Sequence, residues 1–425
     1  MQPLTRSRPR PRFFGTSGPS FALDFVNGTN ALDTRVTFTR ASSATYFDSA
    51  GVLQSAAIDV PRFDYNPATL AAQGLLIEES RTNGIRNSTG VGAVAGTPGT
   101  APTNWVVSNA AGNLTTREIV GTGTENGITY IDVRFAASGA VNASIYADSS
   151  TGVAALNGQT WTSSFYIKLV GGSLTNLTIR LSIVENDSGG NFLAGADGAA
   201  FVPTSAALRT QRFTQTYTNT NASTAFEWSR VKFEFTGAGD VTLRIGLPQL
   251  ELGAFATSVI PTTTTALTRS ADVASVNTLS PWFNASEGTL YAEYSIVTPR
   301  TTDVTFTRLD DGSDANRVQL STGASFTVFN PFVITANAPQ GNSVVLINPI
   351  GSHKTAAAFR ANSLIGAMDG ILGAEDTVLT VPSGISRLCV GNSNNVSQFV
   401  NGYLRRITYY NTRLSNAQLQ ALTAP

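Results

Sequence analysis

Two carboxylates on one face of a strand are the arrangement that cleaves a glycosidic bond, one as acid and one as base or nucleophile. Glu185-Asn186-Asp187 begins such a pattern, since strand alternation turns Glu185 and Asp187 to the same side. Gly189-Gly190 follow, however, and no third acid extends the run. Glu78-Glu79 are adjacent, so a strand turns them to opposite faces. The single histidine, His353, falls in Gly351-Ser352-His353-Lys354, read as a polar turn, and the single cysteine is Cys389. One of each cannot build a histidine-rich zinc site, and no G-x-S-x-G elbow accompanies His353. Cys389 in Arg387-Leu388-Cys389-Val390 reads as a small buried hydrophobe. Asp310-Asp311-Gly312-Ser313-Asp314 offers hard oxygen ligands for calcium, but a hairpin turn between Val304–Leu309 and Arg317–Leu320 explains the same residues and is favoured. No catalytic residue, metal site or cofactor is expected.

Binding is the other chemistry on offer. Aromatic side chains hold sugars by covering their apolar faces, with polar groups around them. The four tryptophans are Trp105, Trp161, Trp228 and Trp282. Trp161 alternates with Phe165 in an apolar register and reads as core. Trp105 and Trp228 stand near expected strand edges and are the glycan-binding candidates, with core packing the competing reading of both.

The bulk composition narrows the classes. Charged residues make up 13% of 425 residues, about half the usual fraction, and the formal net charge is +0. Such a neutral, hydroxyl-rich chain offers no field to hold nucleic acid. No apolar run reaches the length of a membrane helix, so no membrane insertion is expected, and the N-terminus lacks the apolar core of a signal peptide.

Period-two alternation dominates the chain. Ile128–Phe135, Thr160–Val170, Leu177–Glu185, Arg212–Tyr217 and Arg230–Phe235 read as strands, as does Val241–Ile245. Gly246–Thr268 then closes one β-rich region and opens the next, with Gly253 breaking the strand and Pro261 ending ladder pairing. Toward the C-terminus, Ser415 and Gln418 form a capping-box pair for one short helical turn. The organisation expected is all-β and multidomain. A basic extended arm at 1–15 precedes a small β attachment domain at 16–86 and a Gly/Ser/Pro-rich linker at 87–102. Two jelly-roll sandwiches follow, at 103–267 and 268–425. In the arm, Arg6, Arg8, Arg10 and Arg12 alternate with Ser7, Pro9 and Pro11 before Phe13-Phe14. These six residues, the arginines and the phenylalanines, read either as particle anchors ordering against an acidic partner or as a solvated tail.

The order F-T-R-A-S-S-A-T-Y-F-D-S-A-G-V-L, then V-P-R-F-D-Y, then G-L-L-I-E-E-S-R-T-N, within residues 16–86, resembles the phage head-spike fibre domain family. The later Q-L-E-L-G-A-F-A-T-S-V-I-P-T and T-R-S-A-D-V-A look like continuations of it, and Thr268-Arg269-Ser270-Ala271 echoes Thr39-Arg40-Ala41-Ser42. Gly158–Lys168 resembles the central strand of jelly-roll carbohydrate-binding modules. The beginning and end of the last region resemble laminin-G or concanavalin-like jelly rolls, without the E-x-D-x-x-E strand of concanavalin-like glycanases. The resemblance implies a non-enzymatic spike or fibre protein of a tailed phage or phage-like particle, exposed on the virion. Its partners would be capsid, portal-proximal or tail proteins, further copies of itself (a homotrimer), and a host cell-surface polysaccharide. A purely structural connector or decoration protein is the first alternative, and a capsule depolymerase the second.

Overall fold

The computed structural model describes residues 18–27, 29–148, 152–296, 302–323, 326–394 and 397–425. The protein is all-β, with two antiparallel sandwiches and one helix among the described residues. Among the described residues, no helix is long and apolar enough to cross a membrane. The arm residues Arg6, Arg8, Arg10, Arg12, Phe13 and Phe14 lie outside the described set.

The first sandwich pairs a five-stranded sheet with a six-stranded one. The former runs Arg212–Thr218, Thr160–Gly172, Gly239–Leu252, Ile128–Ala137, Leu114–Glu125. The latter runs Phe192–Asp197, Leu177–Asn186, Phe226–Phe235, Val141–Ala147, Val106–Val107, with Val153–Ala154 also pairing to Phe226–Phe235. The expected strands are present, most of them one to four residues longer and Val241–Ile245 extended to Gly239–Leu252. Alternation builds the core: F-E-W-S-R-V-K-F-E-F at 226–235 turns Val231, Phe233 and Phe235 inward against Phe135, Phe165 and Ile245.

The second sandwich corrects the domain expectation. The stretch 16–86 does not form a separate domain: only the hairpin Ala44–Phe47 and Leu53–Ala56 makes a sheet of its own, and the other strands belong to sheets shared with strands elsewhere. Phe21–Asp24 and Ala72–Ile77 lie end to end along one edge of Gly402–Tyr410, and Phe63–Tyr65 extends that eight-stranded sheet. Val36–Thr39 pairs with Val273–Val276 at the edge of the opposing seven-stranded sheet. Strands of three to six residues cannot enclose a core alone. Phe21, Leu23, Leu75 and Ile77 are instead buried with Leu290, Tyr294, Phe306 and Ile407 in the core of the C-terminal sandwich. Segments nearly 400 residues apart thus share one sheet.

The expected linker at 87–102 is also packed structure. Asn87 and Ser88 are buried, Asn87 Nδ2 donates to Val91 O (2.9 Å) and Thr103 O (2.8 Å), and Gly96 bridges to Ile119. Two sequence details are met closely. Ser415 caps the helix Asn416–Thr423, its Oγ accepting from Gln418 N while its own N donates to Gln418 Oε1 (2.8 Å). Gly253 ends the strand at φ +134°, where an added Cβ would collide with the Arg81 guanidinium.

Candidate functional sites: a buried hub, a closed carboxylate pair and an aromatic face

The segments that carry the family resemblance converge on one place. Arg40, Arg62, Glu78, Arg269 and Asp272 are all buried where the two sandwiches and the 253–268 segment meet. Arg40 Nη1 lies 3.0 Å from Asp272 Oδ1, and Arg62 bridges Asp272 and Glu78, the latter at 2.8 Å. Arg269 reaches Glu78 at 2.9 Å. Ser258 donates to Glu78 through its N (2.8 Å) and Oγ (2.7 Å), while Glu78 N donates to Asp272 Oδ2 (2.9 Å). Arg269 also donates to Thr257 Oγ1, which donates in turn to buried Glu251 (2.5 Å). Three arginines face three carboxylates. Burial works to raise the Glu78 pKa, but Arg269 and Arg62 outweigh it and hold the group at about 2. The echoing segments meet here too: Ser270 N donates to Ser42 Oγ (2.9 Å). Three of the four arginines in these motifs that sequence reasoning left without a role (Arg40, Arg62 and Arg269) are ties in this hub, while Arg81 pairs with Glu79 beside it.

A second carboxylate cluster lies inside the first sandwich. Glu185 and Glu227 stand directly opposite on neighbouring strands, and both are fully buried. Directly opposed residues have Cβ atoms roughly 5 Å apart. Glu185 accepts from Tyr217 Oη (2.5 Å), Thr220 N (3.0 Å), Asn221 N (3.1 Å) and Thr224 Oγ1. Both Glu227 oxygens lack a hydrogen-bond partner among the described residues, and the neighbouring Asn219 Oδ1 is likewise unpartnered. Burial first, and the charge of Glu185 after it, push the Glu227 pKa up to about 8. The register exposed this position: Glu227 shares the inward parity of Ser229, Val231 and Phe233. The pairing with Glu185 needed the strand neighbours, which spacing does not reveal. Asp187 takes no part; its Oδ1 accepts from Gly189 N and Asn191 N in a turn. With no surface open to a sugar, this pair has no route to a glycosidic oxygen.

The remaining candidates divide. Trp105 is core: it is buried, and its Nε1 donates to Asn87 O (2.7 Å), because the packed 87–102 segment covers the edge it was expected to occupy. Trp161 and Trp282 are also core, the latter stacked on Phe21 with centroids 4.3 Å apart. Trp228 is half-buried on the outward face of the six-stranded sheet. Tyr146 meets it edge-on at 5.8 Å and Phe226 lies at 6.2 Å. Arg230 donates to Tyr146 Oη (2.8 Å), and a ladder of Asp197, Lys232, Glu234 and Arg180 continues along the face. His353 lies in the strand Gly351–Arg360, not a turn, with its ring nitrogens on Asp369 Oδ2 (2.6 Å) and Ile350 O (2.8 Å). Cys389 is buried, which pushes its thiol up to about 12. The Asp310–Asp314 carboxylates are taken by Arg308, Arg387 and turn donors, as a hairpin requires.

No protein-family description matches the chain, and no curated protein matches it. Solved structures give distant likenesses. The CBM40 of Ruminococcus gnavus IT-sialidase bound to α2,3-sialyllactose is 13% identical, over 33% of this chain and 84% of that one, with a TM-score of 0.29. The CBM22-1–CBM22-2 tandem of Paenibacillus barcinonensis Xyn10C is 12% identical over 75% and 98%, with a TM-score of 0.24. Trypanosoma rangeli sialidase in complex with the inhibitor DANA is 10% identical over 69% and 60%, with a TM-score of 0.28. Likenesses this distant decide nothing about function; the chain's own residues must.

Proposed function

We propose that this chain is a non-catalytic adhesion protein of a phage or phage-like particle, attached through its N-terminal region and presenting a glycan-binding sheet face. The observation that carries the glycan part is the Tyr146–Trp228–Phe226 cluster, an aromatic surface with a hydrogen-bonding ladder beside it. Such a face suits stacking on a sugar, and each contact is weak. Copies arranged as a trimer, and spikes repeated over a particle, would turn weak sites into firm adsorption by avidity. The particle part rests on the resemblance of residues 38–83, 249–262 and 268–274. The rigid hub those residues build is what a spike needs to carry load between its attachment and its outer face. A connector role within a head or tail is the second reading, favoured by the same hub, since the resemblance attaches to the scaffold and not to the aromatic face.

The test is adsorption of labelled protein to bacterial cells and to a glycan array, before and after periodate oxidation of the sugars. Trp228→Ala is expected to lower binding at least tenfold with melting unchanged within a few degrees, and oxidation to remove it. Binding that survives both treatments would leave the connector reading standing.

A further inference from the structure

Beside the hub lies a cavity of about 320 Å³ that the aromatic face does not reach. Its walls come from three places in the chain: Tyr46 of the hairpin at 44–56, Tyr166, Arg209 and Arg212 of the first sandwich, and Phe255 and Tyr403 from the junction and the second sandwich. The size falls at the lower end for small-molecule sites, roughly 300–1,000 Å³.

Its polar groups are unbalanced in a telling way. The carboxylates on the wall are already saturated. Asp64 accepts from Phe47 N (2.6 Å), Tyr65 N (3.0 Å) and Tyr403 Oη (2.9 Å), and Glu78 is held by the hub. The donors are not. Arg212 spends its Nη groups on Thr257 O (2.7 Å) and Ser164 Oγ (2.9 Å), while its buried Nε has no partner. Arg209 engages only Nε, with Pro67 O (2.9 Å), among the described residues. The Tyr46 and Tyr166 hydroxyls make no hydrogen bond to a described residue. A pocket with spare cationic and neutral donors, occupied acceptors and aromatic walls asks for a ligand rich in acceptors, negatively charged, and apolar on one face.

We propose that this cavity binds the terminal acidic residue of a glycan, a hexuronate whose carboxylate meets Arg209 and Arg212 and whose ring lies against the tyrosines. This site is separate from the Trp228 face, so either can fail alone. Calorimetry and saturation-transfer NMR with methyl β-D-glucuronide, methyl β-D-glucoside and acetate test it on the intact protein. The glucuronide is expected to bind at least tenfold more tightly than either other probe. Arg209→Met should weaken it at least fivefold, and Ala68→Trp, an exposed turn residue at the cavity wall, should abolish it. Trp228→Ala should leave it unchanged. Equal binding of glucoside or acetate, no binding of the glucuronide, or indifference to Ala68→Trp overturns the proposal.

Discussion

Glu78 and Glu227 are both inside the protein, and their environments drive them in opposite directions. Glu78 lies among two arginines and the donors of Ser258 and stays ionised, with its pKa at about 2. Glu227 has no arginine or lysine beside it and an ionised neighbour in Glu185; burial outweighs the nearby Asn219 amide, and its pKa rises to about 8. Burial raises both; only partners reverse it. The hub therefore holds charge as structure, whereas the first sandwich holds a carboxylate that burial drives toward its neutral form. Glu227 in its protonated form has a donor to offer, and Asn219 Oδ1 beside it is an acceptor without one.

The sharpest way to break the comparison is to unbalance the hub. Arg62→Met leaves Glu78 with one arginine and strips Asp272 of one of its two, in a site where all these side chains are buried. Removing one partner of a buried ion pair costs about 3–5 kcal/mol. Urea unfolding of Arg62→Met should show a loss of that order, with the two sandwiches ceasing to unfold together. A loss below about 1 kcal/mol would mean that the hub is solvated and that its charges do not tie the segments.

Next in size is the response to pH, and the signs differ. The folded pKa of Glu78 lies below its unfolded value of about 4.5, so its contribution is present above that value and is lost as pH falls toward about 2. The folded pKa of Glu227 lies above its unfolded value, so its contribution is present below about 4.5 and is lost as pH rises through about 8. Stability should therefore fall on both sides of a mildly acidic maximum. Glu227→Gln removes the alkaline loss and supplies an amide donor for Asn219. It should stabilise the protein by about 4 kcal/mol at pH 8, since the folded and unfolded values lie about 3.5 units apart and one pKa unit is worth about 1.4 kcal/mol, and by much less at pH 4.5. Denaturant midpoints at the two pH values measure this. An equal gain at both would show that packing, not charge, is responsible.

How much of this was readable beforehand follows from what spacing encodes. Strand existence and parity are local, so Thr160–Gly172, Leu177–Asn186 and the capped helix at Asn416–Thr423 match their expectations. Sheet membership is not local. Val36–Thr39 and Ala72–Ile77 are too short to hold a core, yet nothing in their composition says that Val273–Val276 and Gly402–Tyr410 are their partners. The same limit governs the site residues. Trp105 and Trp228 look alike in sequence, and only the folded-back 87–102 segment separates a core indole from one on a sheet face. Arginines in the resemblance motifs have no role that spacing can assign, because their carboxylate partners lie up to 232 residues away.

The smallest effect tests whether the charge of Glu185 matters to its neighbour. Burial dominates the rise at Glu227, and Glu185 adds the lesser share through its negative charge. Glu185 itself is held ionised: burial opposes this, but Thr224, Tyr217 and the backbone N–H groups of Thr220 and Asn221 lower its pKa. Glu185→Gln removes the repulsion while an amide oxygen remains to accept part of that set. The Glu227 pKa, followed by carbon NMR of the labelled carboxyl group, should then fall by less than about one unit and stay well above the ordinary glutamate value. A fall all the way to that value would make repulsion, not burial, the cause. The two clusters would then differ in the sign of the charge beside each carboxylate, not in how completely each is enclosed.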